Sequence, residues 1–94
     1  MVTKEKQVQL GEVVRSKNGR FAGEYFVVMS LETNSDGEFA YVANGKSRKS
    51  DNPKRKKLKH LELGLGYSHH IGEKLLAEEK ITNNELRITV GKYE

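Results

Sequence analysis

Apolar and polar positions alternate with a period of two through the first half of the chain, and recur every three to four residues towards its end. Val13 and Val14 open the first apolar segment, which runs out at Arg15. The next segment, EYFVVMSLE, is rich in the aromatic and β-branched residues that suit a pleated sheet. Extended, it places Tyr25, Val27, Met29 and Leu31 on one face and Phe26 and Val28 on the other. Both faces are apolar, which predicts a central strand of a small closed sheet. NSDG, from Asn34 to Gly37, predicts a turn, because Asn and Asp bond their own backbone and Gly accepts positive φ. EFAYVA, from Glu38 to Ala43, is the third strand. Asn44-Gly45 then gives the strongest two-residue hairpin signal. It predicts that KSRKSDNP returns antiparallel to the third strand, with Pro53 near its end.

Four or five short strands at this spacing are most simply buried in a small antiparallel barrel, which leaves no long edges. Helix enters later. SHHIGEKLLAEEKI puts Ile71, Leu75 and Leu76 on one side, with Ser68 as N-cap and Gly72 as a weak point. Thr82-Asn83-Asn84-Glu85 fits a capping box. Beyond it, Leu86, Val90 and Tyr93 fall on a helical stripe, while Leu86, Ile88 and Val90 also alternate as in a strand. The reading leans to a short helix. The predicted organisation is a flexible polar start over 1–8, a barrel over 9–64 and a partly helical extension over 65–94.

Composition narrows the function classes. The chain of 94 residues has the length of one domain with a small core. It has no cysteine, which excludes a disulfide framework and a thiolate zinc site. No apolar run approaches the ~20 residues that span a bilayer. The N-terminus lacks the apolar core of a secretory signal, so the cytoplasm is the default compartment. The net charge of +4 conceals a sharp asymmetry: residues 1–45 carry net −1, residues 46–60 net +7 and residues 61–94 net −2. So local a positive excess is an electrostatic footprint for a polyanion, with nucleic acid the commonest such partner. An anionic membrane surface and a merely solubilising charge run are the competing readings.

Between the first two strands lies VVRSKNGRFAGEYFVV, where Gly19 and Gly23 bracket a tight connection ringed by Arg15, Lys17 and Arg20, with Phe21 at its tip. It is not a phosphate loop, because the Gly-Lys-Ser/Thr ending is missing and a strand follows. LGEVVRSKNGRFAGEYFVV resembles a KOW motif, the strand-loop-strand element of several ribosomal proteins and transcription factors. Gly11, Val13-Val14, Gly19, Gly23 and the apolar strand after them carry the likeness. Downstream, RKSDNPKRKKLKHL is similar to the Arg-x-x-x-x-Pro-Lys segment ending in Lys-His-Leu of the eukaryotic and archaeal large-subunit ribosomal protein fourteen-e group. Here those positions are Arg48, Pro53-Lys54 and Lys59-His60-Leu61. The resemblance, shared with bacterial KOW-domain RNA-binding proteins, covers residues 9–64 and carries nothing over to the tail. It implies an SH3-like β-barrel that binds RNA, often on the ribosome. The implied RNA surface comprises Arg15, Lys17 and Arg20 of the loop, with Arg48, Lys49, Lys54, Arg55, Lys56, Lys57, Lys59 and His60.

The chemistry of these residues agrees with that implication. Lys and Arg neutralise phosphates and release counterions, and Arg can also grip a phosphate bidentately or stack on a base. Extended, Lys54, Lys56 and Leu58 would face one way, and Arg55, Lys57 and Lys59 the other. Neither side is cleanly apolar, so the run is expected over the barrel surface, pinned by Leu58, Leu61 and Leu63. Glu12 and Glu24 are near enough in sequence to pair with Arg15, Lys17 and Arg20 instead. Phe21 is a candidate base-stacking side chain, weighed against folding onto the barrel rim. Tyr25, Phe26, Phe39 and Tyr41 are expected in the core. His69 and His70 point about 100° apart on a helix and cannot readily share a metal, so neither metal nor cofactor is expected. Ser16, Ser47 and Ser68 read as loop serines, and no catalytic constellation is recognisable.

The expectation is therefore a non-enzymatic, monomeric, cytoplasmic RNA-binding protein, ribosome-associated and reading structured ribosomal RNA through shape and phosphate. The alternatives are a protein-interaction module meeting an acidic partner, and a transcription-complex factor. The C-terminal extension is a candidate protein contact in each case.

Overall fold

A computed structural model of the chain describes residues 8–94. The expected flexible start falls, over residues 1–7, outside the described residues. Val8 is half-buried against the core.

Among the described residues five strands form one antiparallel sheet: β1 (Glu12–Ser16), β2 (Tyr25–Asn34), β3 (Gly37–Ala43), β4 (Lys54–Lys57) and β5 (Leu61–Tyr67). A 3-10 turn over Leu58–His60 joins β4 to β5. The spatial order is β4-β3-β2-β1-β5, so the two edge strands are consecutive in the chain. No ladder joins them, and the sheet stays open where a closed barrel was expected. Two breaks in register bend it. One lies between Val13 and Arg15 in the β1–β5 pairing, the other between Val28 and Ser30 in the β2–β3 pairing.

The two apolar faces of β2 are covered in different ways. Phe26 and Val28 face an inner cluster with Val14, Ala40, Val42, Leu58 and Leu61. Leu58 comes from the turn between the edge strands and Leu61 from the start of β5, so the curl of the sheet fills its own concave side. Val27 faces the opposite cluster, with Ala43 and with Ile71, Ile81, Leu86 and Val90 from the C-terminal segment. The helices, not sheet closure, account for the second apolar face. The 64/65 boundary also falls inside β5, which runs to Tyr67. Of the aromatic residues expected in the core, Phe26 and Phe39 are buried, while Tyr25 and Tyr41 are half-buried.

The NSDG turn forms as predicted, with the Asp36 amide donating to Asn34 Oδ1 at 2.8 Å and Asn34 pairing with Gly37. The Asn44-Gly45 hairpin does not form. The Asn44 side chain is buried, and its Oδ1 accepts the amides of Lys46 (2.9 Å) and Arg48 (3.1 Å). That captures the chain in a wide loop before a ladder can start. The Arg87 guanidinium donates to the Gly45 carbonyl at 2.9 Å, and Asn83 Oδ1 accepts the Ser50 amide at 2.7 Å, holding the loop against the second helix. The strand that pairs with β3 is instead the basic run itself, Lys54–Lys57. Pro53 marks its start rather than its end.

Helix α1 spans His69–Leu76, capped by Ser68 Oγ, which accepts the Ile71 amide at 3.1 Å. It stops well short of Ile81, and Glu78 takes a left-handed φ of 59° in the connection. Gly72, read as a weak point, is needed for close packing. A Cβ there would strike the Tyr67 hydroxyl, and Gly11 lies directly opposite with its own ideal Cβ position 2.8 Å from Gly72 Cα. Helix α2 spans Asn83–Gly91 and carries the full Thr82–Glu85 capping box. Leu86 and Val90 are fully buried while Ile88 is 57% exposed, so the helical stripe wins over strand alternation.

Leu86→Ala should cost about 2–4 kcal/mol in a denaturant melt, a large part of the stability of so small a domain, whereas Ile88→Ala should cost under about 0.5 kcal/mol. Equal effects would contradict a helical α2. A second expectation concerns Glu85, whose carboxyl is held down at about 2 by the Thr82 amide first, then by Lys74 and His70. A depressed carboxyl stabilises the fold above its ordinary value of 4.5, and that stability is lost as pH falls through about 2. Glu85→Ala should therefore cost about 1 kcal/mol at pH 7. The gap to the wild type should narrow between pH 4.5 and 2. A gap independent of pH would contradict the assignment.

Candidate nucleic-acid interface

The loop between β1 and β2 is set by backbone bonding. The Ser16 amide donates to Glu24 O at 3.0 Å and the Gly23 amide to Ser16 O at 2.8 Å, while Gly19 and Gly23 adopt φ of 81° and 89°. This projects Lys17, Asn18 and Arg20 into solvent. Phe21 turns back and packs on the inner cluster, edge-on to Phe26 with centroids 6.0 Å apart. It sits on the rim of the core, the position weighed against base stacking.

The loop meets the basic segment directly. The Lys17 amide donates to the His60 carbonyl at 3.0 Å. Lys56 reaches across from β4, its ammonium donating to Ser16 Oγ at 2.9 Å and to the Asn18 carbonyl at 3.2 Å. Burial, followed by repulsion from Lys54, pulls the Lys56 ammonium pKa below its ordinary value. Ser16, read as a loop serine, is a buried residue at the end of β1 and the anchor of this bridge. Only tertiary structure reveals that role, since forty positions separate Ser16 from Lys56.

Strand pairing sorts the other cations by face. Lys54 and Lys56 lie opposite Val42 and Ala40, towards the concave side, and Arg55 and Lys57 lie opposite Tyr41 and Phe39 on the convex side. The alternation predicted for the run holds, but in a paired edge strand rather than in a segment draped over the surface. Lys17, Arg20, Lys49, Lys54 and Lys59 are exposed and form no ion pair among the described residues. Lys17, Arg20, Lys54 and Lys59 belong to the two segments joined by the Lys17–His60 and Lys56 contacts. Lys49 lies in the wide loop on the α2 side.

The remaining candidates are engaged by the protein. Arg15 pairs with Glu62 at 3.2 Å. Among the described residues neither nearby acid pairs with the loop cations: Glu12 is buried and accepts the amides of Gln9 and Gly64, and Glu24 accepts from Asn44 and Ser47. Arg48 is half-buried, donates to the Pro53 carbonyl at 3.3 Å and has no partner for its Nε among the described residues. Arg55 forms two 3.3 Å contacts with Glu32 and lies over Phe39, which Lys57 also approaches at 5.8 Å. His60 contributes its carbonyl. His69 packs edge-on to Tyr67, and His70 meets Glu85 at 2.6 Å, so the two adjacent histidines engage different neighbours.

No protein-family model matches the chain, and no curated protein matches it. No helix among the described residues is long and apolar enough to cross a membrane.

Lys56→Met should loosen the loop locally. Two bonds to a charged donor disappear, so amide exchange of Lys17 to Ala22 should accelerate about tenfold while the amides of β2 and β3 stay protected. Unchanged exchange in the loop would contradict the bridge.

Proposed function

We propose that the protein is a non-catalytic RNA-binding module of the KOW type, acting on structured ribosomal RNA in the cytoplasm. The observation that carries this reading is the convergence of two cationic segments remote in sequence. The Lys17–Arg20 loop and the Lys54–His60 segment touch through Lys17–His60 and Lys56–Asn18, and four of their cations, Lys17, Arg20, Lys54 and Lys59, are exposed and free of acidic partners among the described residues. Charge displayed from a folded backbone suits a phosphate chain better than a disordered basic arm does, because less backbone ordering entropy is lost on contact. The strand order supports the architectural side of the reading. β1 lies between β2 and β5, and the edge strands β4 and β5 follow one another through a 3-10 turn, which is compatible with an SH3-like arrangement.

The protein acts as a monomer, with neither metal nor cofactor, by positioning charge. A protein partner through the C-terminal extension is a second element of the reading. It is supported by Leu76 on α1 and Ile88 on α2, which are 73% and 57% exposed.

Filter binding of a structured ribosomal RNA fragment at two salt concentrations tests the proposal. The salt slope should reflect roughly 0.7–0.9 per phosphate contact. Changing Lys17, Arg20, Lys54 and Lys59 together to Gln should reduce the slope by about 3, weaken low-salt binding strongly and leave the thermal melt nearly unchanged. Failure of the wild-type protein to bind RNA at low salt would overturn the reading. Binding of an acidic protein that survives RNase would favour the interaction-module alternative.

A further inference from the structure

Arg55 is held in a manner unlike that of the other cations. Its guanidinium carbon lies over the Phe39 ring, 3.8 Å from the centroid, in close cation–π contact. Phe39 is itself 6% exposed, so the platform beneath the guanidinium is fixed. The edge of the group is fixed as well. Nε and Nη2 each meet one carboxylate oxygen of Glu32 at 3.3 Å. Glu32 in turn accepts the Tyr41 hydroxyl at 2.6 Å and the Asn34 amide at 2.7 Å. Glu32, Phe39, Tyr41 and Arg55 come from β2, β3 and β4, and the pairing of Glu32 with Phe39 and of Tyr41 with Arg55 brings them onto one face of the sheet.

The arrangement has two chemical consequences. The Glu32 carboxylate neutralises Arg55 and would repel a phosphate brought to the same edge, so Arg55 is poorly suited to the phosphate contact that its place in a basic run implies. The plane of the guanidinium, however, is oriented in advance. Phe39 lies beneath the group, and the side chain is still 44% exposed, so part of it remains within reach of a ligand from solvent. A flat, weakly hydrated, immobilised guanidinium suits the face of an aromatic ring. Lys57, 5.8 Å from the same Phe39 centroid, stands beside it without an acidic partner among the described residues.

We infer that the Phe39–Arg55 stack is a platform for one unpaired nucleobase, which lies on the exposed part of the guanidinium while Lys57 meets the adjoining phosphate. The inference rests on the RNA-binding reading and deepens it. The concave-side cations hold backbone, and the convex face of β3 and β4 takes a base displaced from a helix. Recognition is tolerant of base identity, because every base offers a π face.

The test uses the intact chain with three RNA probes: a short oligoadenylate, the same oligomer with abasic positions, and a fully paired duplex. Arg55→Lys keeps the charge and removes the plane. It should weaken oligoadenylate binding about tenfold or more, the order expected for one lost stack, and leave abasic and duplex binding within about twofold. The salt slope should not change, because no net charge is lost. A thermal melt confirms that the variant is folded. Independently, 2-aminopurine placed in the oligomer should change its fluorescence on binding to the wild type and much less on binding to the variant. Equal loss on all three probes would make Arg55 a phosphate or structural residue and overturn the platform, as would no loss on any of them. Either result leaves the RNA-binding reading intact, since duplex binding by the wild type tests that reading separately. Absence of binding to every probe overturns both.

Discussion

The middle strand of this protein is apolar on both faces, and the rest of the fold follows from the need to cover each of them. Phe26 and Val28 cannot be left in water on one side, nor Val27 on the other. At about 25 cal/mol per Å² of apolar surface, these faces dominate the folding free energy of a chain this short. A bent sheet covers the first face with its own turn and the start of β5, through Leu58 and Leu61. Two short helices cover the second, through Ile71, Leu86 and Val90. Neither helix is long enough to be stable alone in water, so each depends on the sheet it covers. The capping box and the Asn83 and Arg87 contacts then anchor α2 against the wide loop.

That arrangement determines where the charge is displayed. Because Leu58 and Leu61 are drawn into the core, the residues immediately before them are extended and paired with β3 as an edge strand. An edge made of Lys54 to Lys57 resists pairing with a second chain, since approach of another strand would crowd like charges. The same pairing divides the basic run between two environments. The concave side joins the glycine loop through Lys56, and the convex side lies over Phe39. A charge run that looks uniform along the chain thus becomes two chemically different surfaces. One presents point charges free of acids among the described residues, and the other presents an arginine whose charge is spent on Glu32.

Features set by near neighbours were legible in the sequence. Strands β1 to β3, the NSDG turn, the Ser68 cap and the Thr82–Glu85 box all express interactions within a few residues. The features that escaped depend on distant partners. The Asn44-Gly45 pair has the chemistry of a tight turn, but the Asn44 side chain bonds to Glu24, twenty positions earlier, and to the loop that follows. Two-faced apolarity in β2 fits both a closed sheet and a sheet under helices, and its periodicity does not distinguish them. The division of the cations depended on Ser16, Glu32 and Glu62, whose pairing with Lys56, Arg55 and Arg15 bridges more than twenty positions in each case.

The proposed RNA surface joins the glycine loop to the basic segment. Ultraviolet crosslinking in cells, with sequencing of the attached RNA and mapping of the crosslinked peptides, tests it most directly. Ribosomal RNA fragments should be attached to peptides from both Lys17–Phe21 and Lys54–His60, with α1 and α2 unmarked. Crosslinks confined to the helices, or a protein recovered without RNA, would contradict it.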